Sequence, residues 1–411
     1  MGRHSRTSHY DALETRSPDE REAALARDLP RQIAGAQALP GYAGALKGLR
    51  AGDIASVEAL TALPVLRKSD LVAKQRAGAA LGGLAAQPLS GFAHVFQSPG
   101  PIYEPGGASH DWWRMGRFLH AAGIGRGDVV QNCFSYHLTP AGMIFENGAR
   151  AVGATVLPAG TGQTELQARA AHDLGVTAYA GTPDYLKVIL DRAEAEGLAL
   201  QITKAAVGGG ALFPSLRAEY AERGIACLQC YATADLGNIA YESAAMEGMI
   251  VDEGVIVEIV TPGTGIPVAP GEVGEVVVTT LNADYPLIRF ATGDLSAVLP
   301  GQSPCGRTNL RIRGWMGRAD QTAKIKGMFV RPEQVADFVS RHEEVTRARV
   351  VAEREGEMDV MLVQVESPGG SAEAYGESIA AVLKLKGRVE ILAPGTLPND
   401  GVVIEDRRKY D

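Results

Sequence analysis

Residues 17–39, SPDEREAALARDLPRQIAGAQAL, carry apolar side chains at intervals of about 3.6 positions behind a serine and a run of acids. Ser17 is an N-cap for the helix this predicts, and the first-turn acids suit its positive end. Residues 10 to 90 read as helical throughout, broken by Pro and Gly. Beyond about residue 92 the pattern changes. Short β-type runs (FAHVFQS, DVVQNCFS, ATVLPAG, TAYAG) alternate with helical ones (AGMIFENGARAVG, TELQARAAHDLG, TPDYLKVILDRAEAEG). That alternation predicts a mostly parallel, doubly wound sheet, with ligands at the carboxyl ends of its strands. From about 250 to 300 the runs GVIVEIVTP, GEVGEVVVTTL and YPLIRFATG predict a β-rich subdomain. RPEQVADFVSRH, DVMLVQVES and RVEILAPG then predict a small α+β unit. A boundary near Gly317 gives a large domain over 1–316 and a small one over 317–411.

Composition narrows the function. A chain of 411 residues, 45% hydrophobic and 21% charged, is globular and long enough for two or three domains. A net charge of −8 argues against nucleic acid or an anionic membrane as the main partner. No apolar run approaches the ~20 residues of a membrane helix. The N-terminus is too polar for a secretory signal, and Gly2 alone touches the myristoylation pattern. The expected location is the cytoplasm. Cys227-Leu-Gln-Cys230 has a spacing that serves zinc or redox chemistry, but ACLQCY reads equally as a buried strand, the favoured reading.

Four stretches carry candidate chemistry. In AVGGGALFP, Gly208, Gly209 and Gly210 let a flat ligand lie against the backbone, although a plain strand-to-helix turn reads the same way. In CYATADLGN, Tyr231 offers a stacking face, Thr233 a hydroxyl and Asp235 a hard oxygen suited to Mg²⁺ near phosphate. Thr292-Gly293-Asp294, after the strand YPLIRFA, sets a carboxylate at an abrupt turn, a natural acceptor for two vicinal hydroxyls. GRAD, 317–320, contributes Arg318 and Asp320.

In this order and spacing the four stretches resemble the adenylate-forming enzymes, and within them the phenylacetate-CoA ligases. YPLIRFATGDLS is similar to that branch's Pro-Leu-Ile-Arg-Tyr-x-Thr-x-Asp stretch, and PCGRTNLRIRGWMGRAD to its Cys-Gly-Arg-Thr lead into a Gly-Arg-Ser-Asp hinge. The resemblance runs from about residue 90 to the C-terminus. It implies AMP-forming acyl-CoA ligation, with ATP/AMP, Mg²⁺ and CoA as cofactors. Gly208, Gly209 and Gly210 would flank adenine, Tyr231 would stack on it, and Ala232 and Thr233 would continue that wall. Asp235 would replace a glutamate at the Mg²⁺ position. Asp294 would hold ribose with help from Arg318, and Asp320 would be the hinge of the small domain. Lys326 and Gly327, in KIKGMF, would lie near the thiol tunnel. Phe134, Tyr136 and His137, with Gly209, would line the acyl pocket. This favours an aryl or arylalkyl acid, though Phe134 and Tyr136 also read as core residues.

Two departures stand against this. The phosphate loop is reduced to QSPGPIYEPGG, 97–107. Ser98, Gly100 and Pro105 survive, but Glu104 sits where a cation is usual and is expected to repel triphosphate. Val402 occupies the position expected for the adenylating lysine. Loss of such a contact is expected to slow adenylation by about 10²–10³-fold or more. The alternatives are therefore a non-catalytic nucleotide- or acyl-binding relative, and an adenylate-former that serves an acceptor other than CoA. By symmetry alone the expected assembly is a homodimer.

Overall fold

The structure, a computed structural model, describes residues 9–78, 80–98, 101–210, 212–317, 319, 323–326, 328–355, 358–398, 400 and 402–408. The chain divides into two compact units. One comprises Met1–Val257, Val278–Phe290 and Leu299–Trp315, the other Glu258–Val277, Ala291–Val298 and Met316–Asp411.

The first helix spans Pro18–Gln37 and opens with a full capping box, Ser17 and Glu20 each accepting from the other's backbone N–H. Pro30 lies inside this helix without ending it. Leu29, Ile33 and Ala36 are fully buried around it, and that burial outweighs the missing N–H.

The sheet of the first unit runs Arg311–Ile312, Met249–Val251, Gly237–Tyr241, Ala226–Thr233, Lys204–Val207, Ala178–Gly181, Val129–Asn132, Thr155–Pro158. From Ala226–Thr233 to Thr155–Pro158 every pairing is parallel, and toward Arg311–Ile312 it is antiparallel. The two-residue period of a strand sorts side chains into two cores. Ala178, Ala180, Ala206, Leu228 and Cys230 join Phe118, Ile144 and Phe145 on one face. Tyr179, Ala205, Val207 and Cys227 join Leu186, Leu190 and Tyr220 on the other. Small residues on the central strands let helices approach both faces closely, as the βαβ pattern predicts. Cys227 and Cys230 consequently point into different cores, so the C-x-x-C pair is a strand and not a chelate. Burial pushes the Cys133 and Cys227 thiols up to about 12.

In the second unit, strands Arg388–Leu392, Met358–Glu366, Arg347–Glu355 and Ile404–Asp406 form a sheet in that order. Val350, Val363 and Val365 pack there with Phe338, Tyr375 and Ile379 of helices Pro332–Ser340 and Ala372–Leu383. No helix among the described residues is long and apolar enough to cross a membrane.

A buried charge node fixes the early chain to the sheet. The Glu14 carboxylate, 1% exposed, accepts from Arg307 Nε at 3.0 Å and from Tyr241 Oη at 2.6 Å. Its second oxygen accepts from the backbone N–H of Tyr10 at 2.7 Å. Burial opposes ionisation of the neighbouring Cys305 thiol. Hydrogen bonds from Ser243, Ser303 and Arg307 outweigh it and bring the thiol down to about 7.

Two outcomes follow from this node. Glu14→Ala leaves the desolvated Arg307 guanidinium without this carboxylate and should cost about 3–5 kcal/mol in urea unfolding. Of the four cysteines, Cys305 should be alkylated first in the native protein. The rate should climb as pH rises through about 7, and Cys305→Ser should abolish that fast phase.

Candidate active site

The parallel strands of the first unit deliver their carboxyl ends to one edge, and the glycine run follows Lys204–Val207 there. Gly208 is crowded: a Cβ would lie 3.0 Å from Cys230 Sγ. Gly209 has φ +70°, and its missing Cβ would face Phe134 Cε1 at 3.5 Å. Gly210 adopts no such left-handed conformation and would meet only Pro183 Cδ, at 3.5 Å. The glycines are thus not equivalent: Gly208 is set by crowding and Gly209 by backbone conformation, while Gly210 has room for a Cβ.

Strands Ala226–Thr233 and Gly237–Tyr241 form a hairpin whose turn carries Asp235. Thr233 Oγ1 accepts from the backbone N–H of Leu236 at 3.2 Å and tightens that turn. A register shift between Tyr231 and Ala232 re-aims the strand just before it. From outside the hairpin, Arg114 Nη2 donates to the carbonyls of Leu236 and of Asn238, the latter at 3.1 Å. Arg114 Nε stands 3.2 Å from Asp252 Oδ1, and Arg117 lies on the other side of the same carboxylate at 3.6 Å. Nothing in the sequence spacing points to Arg114.

The Asp235 side chain is buried and receives Lys68 Nζ on Oδ2 at 3.1 Å. Lys68 opens helix Lys68–Arg76. The hairpin of strands His94–Ser98 and Ile102–Gly106 brings in Glu104, which is 1% exposed and hydrogen-bonded by Ser98 Oγ. Burial foremost, and then the negative field of Asp235, push the Glu104 carboxyl up to about 8. This alters the expected repulsion of triphosphate: near neutral pH Glu104 holds a proton and brings little negative charge. Protonated in this way, Glu104 is hydrogen-bonded side chain to side chain to Asp235, and the hydroxyl of Tyr285 is buried without a hydrogen-bond partner among the described residues. A carboxylate oxygen is a hard donor of the kind Mg²⁺ takes, but among the described residues no group of three or more His, Cys, Asp or Glu side chains could hold a metal ion.

Among the expected pocket residues, Phe134 belongs to the core, 8% exposed and stacked on Phe145 with ring centroids 4.3 Å apart. Its edge also faces Gly209, where a Cβ would lie 3.5 Å from Cε1. The Tyr136 hydroxyl accepts from Asn132 Nδ2 at 2.8 Å, and its ring packs on Gly142. His137 is exposed, its backbone N–H donating to Ser135 Oγ at 3.1 Å.

In the second unit, Asp294 lies within strand Phe290–Leu299 and not at a turn beyond one. The strand continues because Gly293, at φ 74°, absorbs the bend that the sequence reads as a stop. Thr292 Oγ1 accepts from the Asp294 N–H at 3.1 Å and donates to Val276 O at 3.1 Å. The segment that begins GRAD runs alongside. Leu295 N–H donates to Gly317 O at 2.9 Å, and Ala319 N–H to Gly293 O at 2.7 Å. Arg318, Asp320, Gly327 and Gly100 lie outside the described residues. Lys326, exposed and left-handed at φ 49°, occupies the turn between Ala323–Ile325 and Met328–Val330. Val402 is held from both sides: its N–H donates to Asp400 Oδ1 at 3.0 Å, and Arg349 Nε donates to its carbonyl at 2.9 Å. Arg349 also pairs with Asp400. Lys68, Arg114, Tyr285 and Arg349 escaped the sequence reading because each acts through a partner remote in the chain.

No protein-family profile matches the chain. A phenylacetate-coenzyme A ligase of Aromatoleum evansii is 28% identical over 395 residues, covering 91% of this chain and 88% of that one. That of Escherichia coli K12 is 29% identical over 382 residues, with coverages of 87% and 84%. That of Thermus thermophilus is 29% identical over 327 residues, with coverages of 75% and 72%. In three dimensions the chain matches 2-hydroxyisobutyryl-CoA ligase, solved in an open conformation with 2-HIB-AMP and CoA. The TM-score is 0.73 at 22% identity, over 97% of this chain and 94% of that one. A second structure of that ligase, in the thioesterification state, gives a TM-score of 0.71 at 23% identity over 100% and 94%. These matches establish the fold.

The glycine run gives a direct test. Gly209→Ala should lower stability by about 1–2 kcal/mol through its left-handed backbone, while Gly210→Ala should be near neutral, compared by urea midpoints at unchanged m-value.

Proposed function

We propose that this chain, a relative of the phenylacetate-coenzyme A ligases within the adenylate-forming enzymes, is itself an AMP-forming acid–thiol ligase. The observation that carries this is the relatives' agreement: four curated proteins of one activity match it over 72–88% of their own lengths. In the proposed reaction an oxygen of a carboxylic acid bonds to the α-phosphorus of ATP, and the bond to pyrophosphate breaks. The sulfur of CoA then bonds to the acyl carbon, and AMP departs with the electron pair of the acyl–oxygen bond.

Within that reading the chain's residues take distinct parts. Gly208, Gly209 and Gly210 accept the flat face of adenine, and Tyr231, Ala232 and Thr233 form the opposite wall. Asp294 accepts the ribose hydroxyls, with Arg318 beside it. Asp320 is the hinge of a small domain that starts near Gly317, and Lys326 and Gly327 serve the thiol. Bound Mg²⁺ supplies charge neutralisation at the phosphates, and Asp235 is the residue to hold it. Phe134, Tyr136 and His137 bound an acid of aryl or arylalkyl type. The acid, ATP and CoA are the only partners required, in a cytoplasmic homodimer.

Val402 qualifies the rate. A neutral branched side chain cannot offset the charge that builds as carboxylate meets phosphate, so adenylation is slowed while thioester formation is spared. Arg349 does not replace the lysine, because its guanidinium is occupied by Asp400 and the Val402 carbonyl.

The test is acid-dependent ATP–pyrophosphate exchange over a panel of aryl and short-chain acids, in the parent and in Val402→Lys. Exchange should rise by about 10²–10³-fold in Val402→Lys. Absence of exchange in both, with no thermal protection by AMP or ATP, would sink the ligase reading. Exchange without any CoA thioester product would point to a different acyl acceptor.

A further inference from the structure

We propose that Arg114 is a positioning residue for the nucleotide end of the site: it sets the conformation of the turn that carries Asp235, and through it the affinity for ATP. This deepens the ligase reading and rests on it for the identity of the ligand, but not for the fixing of the turn.

Leu236, the residue after Asp235, is held through both of its backbone polar groups. Its N–H donates to Thr233 Oγ1 at 3.2 Å, inside the hairpin, and its carbonyl accepts from Arg114 Nη2, outside it. The same Nη2 donates to the Asn238 carbonyl at 3.1 Å. Asn238 returns two bonds to the segment that bears Arg114. Its N–H donates to Trp113 O at 3.0 Å and its Nδ2 to Arg114 O at 3.3 Å. Two glycines make room for this clasp. A Cβ on Gly237 would lie 2.8 Å from Trp113 O, and one on Gly254 would collide with Arg114 Cδ. Arg114 itself is left-handed, at φ 60°, where it caps helix Met115–Ala121. A non-glycine residue keeps such a conformation only where its surroundings over-determine it.

Pairing with Asp252 does not by itself account for Arg114. The Asp252 carboxylate also has Arg117 at 3.6 Å and accepts from the Gly254 N–H at 2.8 Å. Arg114 adds a rigid link from that buried carboxylate to two carbonyls of the hairpin. A planar guanidinium holds the acid on Nε and the carbonyls on Nη2 at once, whereas a lysine ammonium is one point on a flexible stem. Lys68 reaches the same turn only through the Asp235 side chain and is itself 40% exposed, so it does not hold the backbone there. The orientation of Asp235 and of the strand behind it is therefore set by Arg114.

The experiment places Arg114→Lys, which keeps the charge beside Asp252, in the full chain carrying Val402→Lys. Pyrophosphate exchange then gives KM for ATP and for the acid separately. KM for ATP should rise about tenfold or more, and KM for the acid should stay unchanged. Arg117→Lys serves as the comparator: it weakens the same buried cluster without touching the hairpin, so it should lower the urea midpoint and leave both KM values alone. A merely structural Arg114 would behave like Arg117. Without any nucleotide, amide hydrogen exchange over residues 233–239 should quicken about tenfold or more in Arg114→Lys and stay at the parent rate in Arg117→Lys. Unchanged exchange over that segment would overturn the proposal, and so would an unchanged KM for ATP. Absence of pyrophosphate exchange from every variant, with quickened amide exchange in Arg114→Lys alone, would sink the ligase reading and leave Arg114 as the residue that fixes the turn.

Discussion

The first unit depends on how one desolvated ion pair is placed. Asp252 is fully buried and lies between Arg114 and Arg117. Burial raises the Asp252 carboxyl and lowers the Arg114 guanidinium, so each opposes ionisation and each is kept ionised by its neighbour. Such a pair adds little net stability, but it is costly to break and therefore fixes geometry. Arg114 Nη2 donates to the carbonyls of Leu236, in the turn bearing Asp235, and of Asn238, in the strand that follows it. The Asn238 N–H in turn donates to Trp113 O at 3.0 Å. The hairpin is thereby locked to the start of helix Met115–Ala121, and Asp235 is presented from a rigid turn.

Near that fixed carboxylate the hairpin of His94–Ser98 and Ile102–Gly106 places a second acid, Glu104. In water, Glu104 would carry a full charge and oppose any nucleotide. Inside the fold, loss of solvent, Asp235 and Ser98 decide its charge, and it keeps its proton near neutral pH. Lys68 approaches from a helix 167 residues earlier than its partner and takes only one oxygen of Asp235. Electrostatics is here a property of the assembled cluster, and no single residue type predicts it.

The second unit shows the same separation of shape from charge. The turn before Ile404–Asp406 is held by Arg349, which grips Asp400 and the Val402 carbonyl, and the strand that follows pairs in parallel with Arg347–Glu355. The backbone frame for a presented side chain is therefore built and stable, while Val402 carries no charge. Shape is retained by the Arg349 and Asp400 side chains bonding to the backbone of residue 402, whatever its side chain.

What the sequence determined is what short-range periodicity encodes. The Ser17 capping box, the βαβ alternation, the small residues of the central strands and the small α+β unit follow from local patterning, and so does the buried-strand reading of Cys227 and Cys230. The glycine run and the hairpin of Tyr231 to Asp235 stand out for the same reason, since their residue types act where they stand. Tertiary structure decided the rest. It carried the strand through Thr292-Gly293-Asp294, because a left-handed Gly293 and the bonds to Gly317 and Ala319 keep the ladder going where composition reads a stop. It brought Lys68, Glu104, Asp235 and Tyr285 together and set the Glu104 proton. Periodicity fixes which face a residue occupies, but the partner across that face and the water removed from it arise only when distant segments pack.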